Sequence, residues 1–399
     1  MLKNKLVWLS PIIALAVIFI FSLTLFPSVQ PQPKNLPIAI VNEDQGVEIP
    51  NQPKLNMGQT IVEQIQKSSK TAEDPVVKWV EVKSKAEVQK GLDQQKYYAA
   101  LVIPEDFSTK QASLRMPAPS SPEVQIYINQ GMNTAASTMA GQLLSGVVDN
   151  LNQTVRTQLV KGFEAQGTTI TVEQATHLAT PITKKVINVH EIGKNSMNGN
   201  APVSLFQPLW MASMATAAIL FIAVSKMPII TRREHLAIKI GQILMGAFVS
   251  LVIGFGFTWI ADGIVGLNIP YFMDTALFLT IASFSFILMI SAVLSLIGFK
   301  GIPIFVLLLF FGGPLLALAP EMMSPFYREW IYSWMPMRFM VEGLREIFFF
   351  GKGLAWSSPV SGLVWIGTVS MFVILGTASV KRHSVKNHGK EVNVKEKQY

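Results

Sequence analysis

Few residues in this chain have the type and spacing for covalent or proton-transfer chemistry. Its five histidines are His177, His190, His235, His383 and His388, and no two stand at metal-ligand spacing with a carboxylate partner. Cysteine is absent, which excludes thiolate nucleophiles, thiolate metal sites and disulfides together. The G-x-S-x-G, H-E-x-x-H and dinucleotide glycine patterns are missing as well. No glycine-rich loop ends in Lys-Ser/Thr, so no nucleotide-hydrolysing loop is legible. These residues predict neither an enzyme nor a chain with its own metal or cofactor.

What stands out instead is charge and backbone irregularity in an apolar setting. Arg232, Arg233 and Glu234 sit in a basic stretch between two apolar runs, and Gly312-Gly313-Pro314 interrupts a later run. Arg338, Glu342 and Arg345 recur about one helical turn apart, the spacing at which opposite charges meet across a helix face. Proline removes a backbone donor and glycine allows close approach. Gly312-Gly313-Pro314 is therefore either a kink in a packed bundle or a break that lets the next segment border an exit path. Arg232 and Arg233 have two readings too: contacts for a cytoplasmic partner, or the positive bias of a cytoplasmic loop.

Apolar runs must position these residues. Half of the 399 residues are apolar and 15% are charged, lean for a soluble protein. A membrane crossing takes roughly 20 apolar residues. Leu6 to Phe26 meets that length, as do Phe206 to Ser225, Ile240 to Ala261, Thr275 to Ile297, Ile302 to Pro320 and Ser358 to Val380. The first run exceeds a signal-peptide core and lacks a small-residue cleavage site, so it reads as an uncleaved anchor. The expectation is an α-helical polytopic membrane protein of about six spanning helices.

Loop charges orient the spans. Lys3, Lys5, Lys226, Arg232, Arg233, Lys239, Lys300 and the tail from Lys381 fall on one side, whereas the short loop from Asp262 to Asp274 has no Lys or Arg. Both termini are therefore expected in the cytoplasm. The net charge of +8 follows from these flanks, and no basic-aromatic motif accompanies it, so nucleic acid is not an expected partner. The spans hold no titratable group between their ends, which disfavours a proton relay or a charged selectivity ring. Ser283, Ser285, Ser291 and Ser295 read as packing contacts rather than substrate ligands.

Residues 321–357 fit a crossing poorly. Burying Arg328, Arg338, Arg345 and Lys352 in hydrocarbon would cost about 2.5 to 3.5 kcal/mol each. Met337, Met340, Val341, Leu344 and Phe348 recur at helical spacing, which predicts an amphipathic helix at the outer interface or dipping partly into it.

Residues 35–200 alternate strand-like and helix-like runs: LPIAIVN, MGQTIVEQIQKSS, VVKWVEV, SKAEVQKGL, YYAALVIP and EVQIYINQ. Ser84 and Glu87 have capping-box spacing. That order predicts a small α/β extracytoplasmic domain with one sheet, between spans 1 and 2. From Thr134 to about Lys194 the chain reads as mostly helical, a stalk returning to the membrane. The expected divisions are 1–34, 35–200, 201–380 and a basic cytoplasmic tail at 381–399.

Three stretches resemble known families. Leu36 to Gly46 (LPIAIVNEDQG) and Tyr97 to Ser108 (YYAALVIPEDFS) resemble the external domain of the YhgE/Pip, or phage infection protein, family. The carboxyl block resembles type 2 ABC exporter permeases in two features. One is the break at Gly312, Gly313 and Pro314; the other is the outer series Pro336, Glu342, Gly343, Leu344 and Arg345. The external region is shorter than in many YhgE/Pip members. The resemblance implies a permease in a bacterial cell membrane, paired with a second permease subunit as a homo- or heterodimer. A separate cytoplasmic ATP-binding subunit would supply ATP, contacting Arg232, Arg233 and Glu234 on a short amphipathic helix over Lys226 to Lys239. The charge-free spans suggest an amphipathic or lipid-like cargo. A non-transporting scaffold or receptor, of a secretion-accessory or phage-docking type, is the alternative.

Overall fold

The first helix, α1 (Lys5–Ser22), presents Ile12, Leu15, Ile18 and Phe19 outward, as a helix meant for lipid does. This computed structural model describes residues 5–23, 31, 33–48, 53–70, 74–167, 169–228 and 231–378. The end of the first apolar run, at 24–26, and the tail at 381–399 lie outside them.

Beyond α1 the chain folds as β1 (Leu36–Asn42), α2 (Met57–Lys70), β2 (Val77–Glu81), α3 (Lys85–Asp93), β3 (Ala99–Ile103), α4 (Phe107–Ser113), β4 (Glu123–Asn129), α5 (Thr134–Gln166), α6 (Val172–Ala179) and β5 (Thr183–Val189). The sheet order is β2-β1-β3-β4-β5, with only the β3–β4 pair antiparallel. Ile38, Ile40, Leu101, Ile103 and Ile126 face α2 and α5, while Ala39, Val41, Ala100 and Val102 face α3. Burial on both faces is why β1 and β3 read as unbroken apolar runs.

Two expectations for this domain are corrected. The stretch from Thr134 to Lys194 is not a stalk. Helix α5 lies along the sheet, burying Ala136, Ala140, Leu144, Val148, Val155, Leu159 and Phe163 at steps of three and four. The stretch also contains a strand, β5, whose Thr183-Lys184-Lys185 start is exposed at the sheet edge. Edge lysines protect an unpaired edge from adventitious pairing, and they erase the apolar alternation that announces a strand. At α3, Ser84 accepts from Glu87 N at 3.3 Å, but Glu87 Oε2 accepts from Lys83 N, one residue short of the reciprocal box.

The two family-like stretches of this domain meet at one buried carboxylate. Asp44 Oδ1 accepts from Ser108 N at 2.9 Å and Gly46 N at 3.2 Å. Its Oδ2 accepts from Gly58 N at 3.0 Å and from the Ser108 hydroxyl, whose oxygen in turn accepts from Met57 N at 2.8 Å. The loop after β1, the start of α2 and the start of α4 are thereby pinned together. Gly58 has no room for a side chain, since a Cβ would stand 2.3 Å from Asn42 Oδ1.

The carboxyl block comprises a helical turn (Ala201–Ser204), α7 (Phe206–Ser225), α8 (Arg232–Trp259, running into a π turn at Ile260–Ile264), α9 (Phe272–Ile297), α10 (Ile302–Ala317), α11 (Pro336–Phe350) and α12 (Ser358–Thr377). Four helical stretches of the described residues are long and apolar enough to cross a membrane: Ala201–Ser225, Arg232–Ile264, Phe272–Ala317 and Ser358–Thr377. The third is a hairpin rather than a rod. Trp210 of α7 meets Phe286 of α9 and Phe221 meets Phe299 just past it, so α7 and α9 run the same way. Along α10 the order reverses, because Trp210 Nε1 donates to Phe305 O at 3.1 Å while Phe206 closes on Gly312. Gly298, at φ 69°, makes the reversal.

Contacts of Gly246 with Ile287 and of Gly254 with Thr280 set α8 antiparallel to α9. Trp259, Tyr271, Trp330, Trp334 and Trp356 are exposed at the end of the bundle nearest the sheet domain, as in an interfacial aromatic belt.

Replacing Asp44 with Asn leaves two or more buried N–H groups facing an amide. We expect a loss of about 2 to 4 kcal/mol in the stability of the sheet domain, more than for Ser108→Ala. Denaturant unfolding followed by limited proteolysis of the detergent-solubilised protein measures both.

Candidate functional site

The last turn of any helix leaves carbonyls without intrahelical partners. In α10 those of Leu316 and Ala317 are satisfied by two different parts of the protein. Arg345 of α11 donates from Nη2 to Leu316 O at 3.2 Å, placing a cation at the negative end of the helix. Asn133 Nδ2 donates to Ala317 O at 3.0 Å, while its Oδ1 accepts from Ala136 N at 3.1 Å and so caps α5. One amide thus closes a membrane helix and opens the long helix of the sheet domain.

Glu321, four residues on, extends the join. Its backbone oxygen accepts from Lys34 N at 2.9 Å, and its carboxylate accepts from the Tyr98 hydroxyl at 2.7 Å. Tyr98 is buried; burial, then the Glu321 charge, pushes its hydroxyl well above the usual phenol range, so it remains a donor. Ala319 and Met322 enter the apolar core beneath the sheet.

Arg338, Glu342 and Arg345 gather here without an ion pair joining them among the described residues. Arg338 lies over the Phe339 ring at 4.6 Å and the Tyr332 ring at 5.7 Å. Glu342 accepts from the Tyr332 hydroxyl at 3.2 Å. Burial pushes its carboxyl up, and Arg338 chiefly opposes that. The expected stripe of α11 is buried, but against α9 and α12 rather than lipid: an added Cβ at Gly343 would stand 2.2 Å from Phe278 Cζ.

Helix α10 does not break at Gly312-Gly313-Pro314. It runs through all three residues to Ala317. Gly312 admits the Phe206 ring, since a Cβ would stand 2.8 Å from Phe206 Cε1, whereas Gly313 has nothing within 4 Å. The chain bends only beyond Ala317, where the outer segment begins.

At the opposite end, Lys226 to Lys239 does not form a separate helix. Arg232 starts α8 itself, and Thr231 caps it. Glu234 completes a capping box, its Oε2 accepting from Thr231 N at 3.0 Å while Thr231 Oγ1 accepts from Glu234 N at 3.2 Å. Glu234 therefore sets the helix start, while Arg232 and Arg233 are exposed. Lys239, a loop charge by sequence, is buried between helices, where its Nζ donates to Ser295 Oγ at 3.0 Å and Gln242 Oε1 at 3.4 Å. The periodicity of Lys239, Gln242 and Gly246 along one face of α8 was the available signal. Ser283 hydrogen-bonds to the Thr280 carbonyl, and Ser285 packs on Gly367.

A helical bundle with capped helix ends is thus joined to a five-stranded α/β domain. The profile described as ABC-2 family transporter protein matches residues 5–381, nearly the whole chain. The chain belongs to the ABC-2 transporter family. No curated protein matches it. A crystallised domain of a candidate ABC type-2 transporter from Thermotoga maritima MSB8 is similar at 20% identity, over 38% of this chain and 86% of that one, with a TM-score of 0.23. The join at α10 is one of the places where the sheet domain and the helical bundle of this ABC-2 protein are hydrogen-bonded to each other.

Two substitutions test the join. Asn133→Ala removes a cap and an interdomain bond and is expected to cost about 1 to 2 kcal/mol, whereas Asn133→Ser keeps the cap and recovers part of it. Limited proteolysis at the start of α5 reports the difference. A glycine pair tests the packing: Gly343→Ala should lower thermal stability through the Phe278 clash, by about 1 to 3 kcal/mol. Gly313→Ala, in open space within a helix, should be neutral or stabilising.

Proposed function

We propose that this chain is the membrane permease subunit of an ABC-type exporter, powered by a separate cytoplasmic ATP-binding subunit. The observation that carries the reading is ABC-2 membership across residues 5–381 in a chain with no nucleotide-binding loop. A transporter of that kind takes its ATP on another subunit. We read six crossings, α1, α7, α8, α9, α10 and α12, with both termini cytoplasmic in a bacterial cell membrane and the sheet domain outside. Helix α10 is the shortest of the last five, and 16 residues reach about 24 Å.

On this reading two permease chains, identical or different, form the pathway. Its cargo is amphipathic or lipid-like, because the helices offer few groups to replace the hydration of an ion. The exposed Arg232 and Arg233 support a contact with the ATP-binding subunit, and the capping role of Glu234 keeps that helix start ordered. The end of α10, with Gly312, Gly313 and Pro314 leading to Arg338, Glu342 and Arg345, borders the exit. The YhgE/Pip-like stretches around Asp44 support that subtype for the external domain.

Co-purification in mild detergent, with mass spectrometry of what accompanies the chain, tests the proposal. The expected result is a stoichiometric ATP-binding subunit whose hydrolysis rate changes in the complex. Combined Arg232→Glu and Arg233→Glu should reduce its recovery at least about tenfold without unfolding the permease, since both side chains are exposed. Recovery of the chain alone, or with secretion components and no ATPase, would instead establish the scaffold reading.

A further inference from the structure

His190 follows β5, where the chain leaves the sheet for the membrane, and takes no part in the join at α10. Its Nδ1 lies 3.0 Å from Asn129 Oδ1, and its Nε2 lies 3.2 Å from Asp93 Oδ1. Asn129 is fully buried, and its Nδ2 donates to Leu92 O at 2.9 Å and Tyr97 O at 3.2 Å. Only an NH2 group can serve two carbonyls, so the amide oxygen is the atom turned toward the imidazole. Nδ1 must then carry the hydrogen. In a neutral ring Nε2 is left as a lone pair facing a carboxylate, acceptor against acceptor. A second proton converts that contact into a charge-assisted hydrogen bond.

The ring is held on its other side by the outer segment. Its centroid lies 4.4 Å from that of Phe350, and Gly131 lacks room for a Cβ between His190 and Phe349. The charged groups that face it are Asp93, from the end of α3, and Lys352, beyond α11. Lys352 sits 5.8 Å from the Phe350 centroid and pairs with Glu346 at 3.0 Å. The backbone of His190 is itself left-handed, at φ 50°.

We propose that His190 is a proton-operated link: neutral, it is held by Asn129 as the Nδ1–H form, and protonated at Nε2 it ties α3, through Asp93, to the chain that returns to the membrane. The sign follows from the neighbours. Burial lowers the imidazole's pKa from its ordinary value, Asp93 opposes that, and Lys352 adds to it. The link therefore closes on the acidic side of the ordinary histidine range. Because the net folded value is lowered, this group's contribution to global stability is present above its unfolded pKa. That contribution falls as pH drops through the folded one, and Asp93 reduces the loss.

The test is nitrogen NMR of the full-length protein in detergent, labelled at histidine, titrated between about pH 5 and 8. His190→Gln identifies the signal by its disappearance. We expect Nδ1 to be the protonated nitrogen at neutral pH, with Nε2 gaining a proton on acidification. Asp93→Asn should weaken proton affinity by about three- to tenfold without shifting the tautomer. Should His190→Gln fail to fold, Asp93→Asn still identifies the signal as the one whose midpoint moves. A neutral-pH signal with the proton on Nε2, or a midpoint unmoved in Asp93→Asn, overturns the proposal.

Discussion

Two carbonyl oxygens at the end of α10 organise the outer half of this protein. A helix that ends where water is scarce must find donors for its last carbonyls. Leu316 finds Arg345 and Ala317 finds Asn133. Each donor belongs to a different body, the outer segment and the sheet domain, so satisfying one helix end fixes their mutual placement. Tyr98 and Glu321, 223 positions apart, add a hydrogen bond on the same line. The cation of Arg345 is kept because it meets a helix terminus, while the carboxylate of Glu342 is kept by the Tyr332 hydroxyl and the nearby guanidinium of Arg338.

The remaining architecture follows from hydrocarbon, which supplies no hydrogen-bond partner. Several polar side chains within the bundle turn to backbone or to each other: Ser213 to Leu209 O, Thr258 to Gly254 O, Lys239 to Ser295. Glycines occur where helices come closest, as at Gly246, Gly254 and Gly367. Charge is pushed to the helix ends, where Thr231 and Glu234 cap α8 and Arg232 and Arg233 reach solvent.

Much of this was legible in the residues, for reasons that can be named. The long apolar helices announce themselves by length, β1 and β3 by dense apolar runs, and β4 by alternation. The strand β5 was hidden because it opens on exposed Thr183, Lys184 and Lys185, leaving only Ile187 and Val189 to alternate toward the core. Gly312-Gly313-Pro314 suggested a break, yet α10 persists through it, its glycine packing against Phe206 and the proline standing one turn from the helix end. Glu234 read as a partner contact, although Thr231 three residues earlier carried the cap signal. The resemblances around Asp44 and Ser108 gave two separate motifs, and only the fold shows that they are the two halves of one hydrogen-bonded cluster. Long-range pairs such as Asn133 with Ala317 leave no trace in local sequence, because nothing in either neighbourhood encodes the other.

The placement of α5 has a mechanical consequence. Its 33 residues span about 50 Å, and its first turn is anchored through Asn133 to the end of a membrane helix. A rod held at one end has the geometry of a lever. A tilt of about 5° at that base would carry the far tip through about 4 Å for a rod of this length. Because α5 lines the sheet, any displacement at that base is carried by the sheet domain as a whole, along a buried face that runs from Ala136 to Phe163.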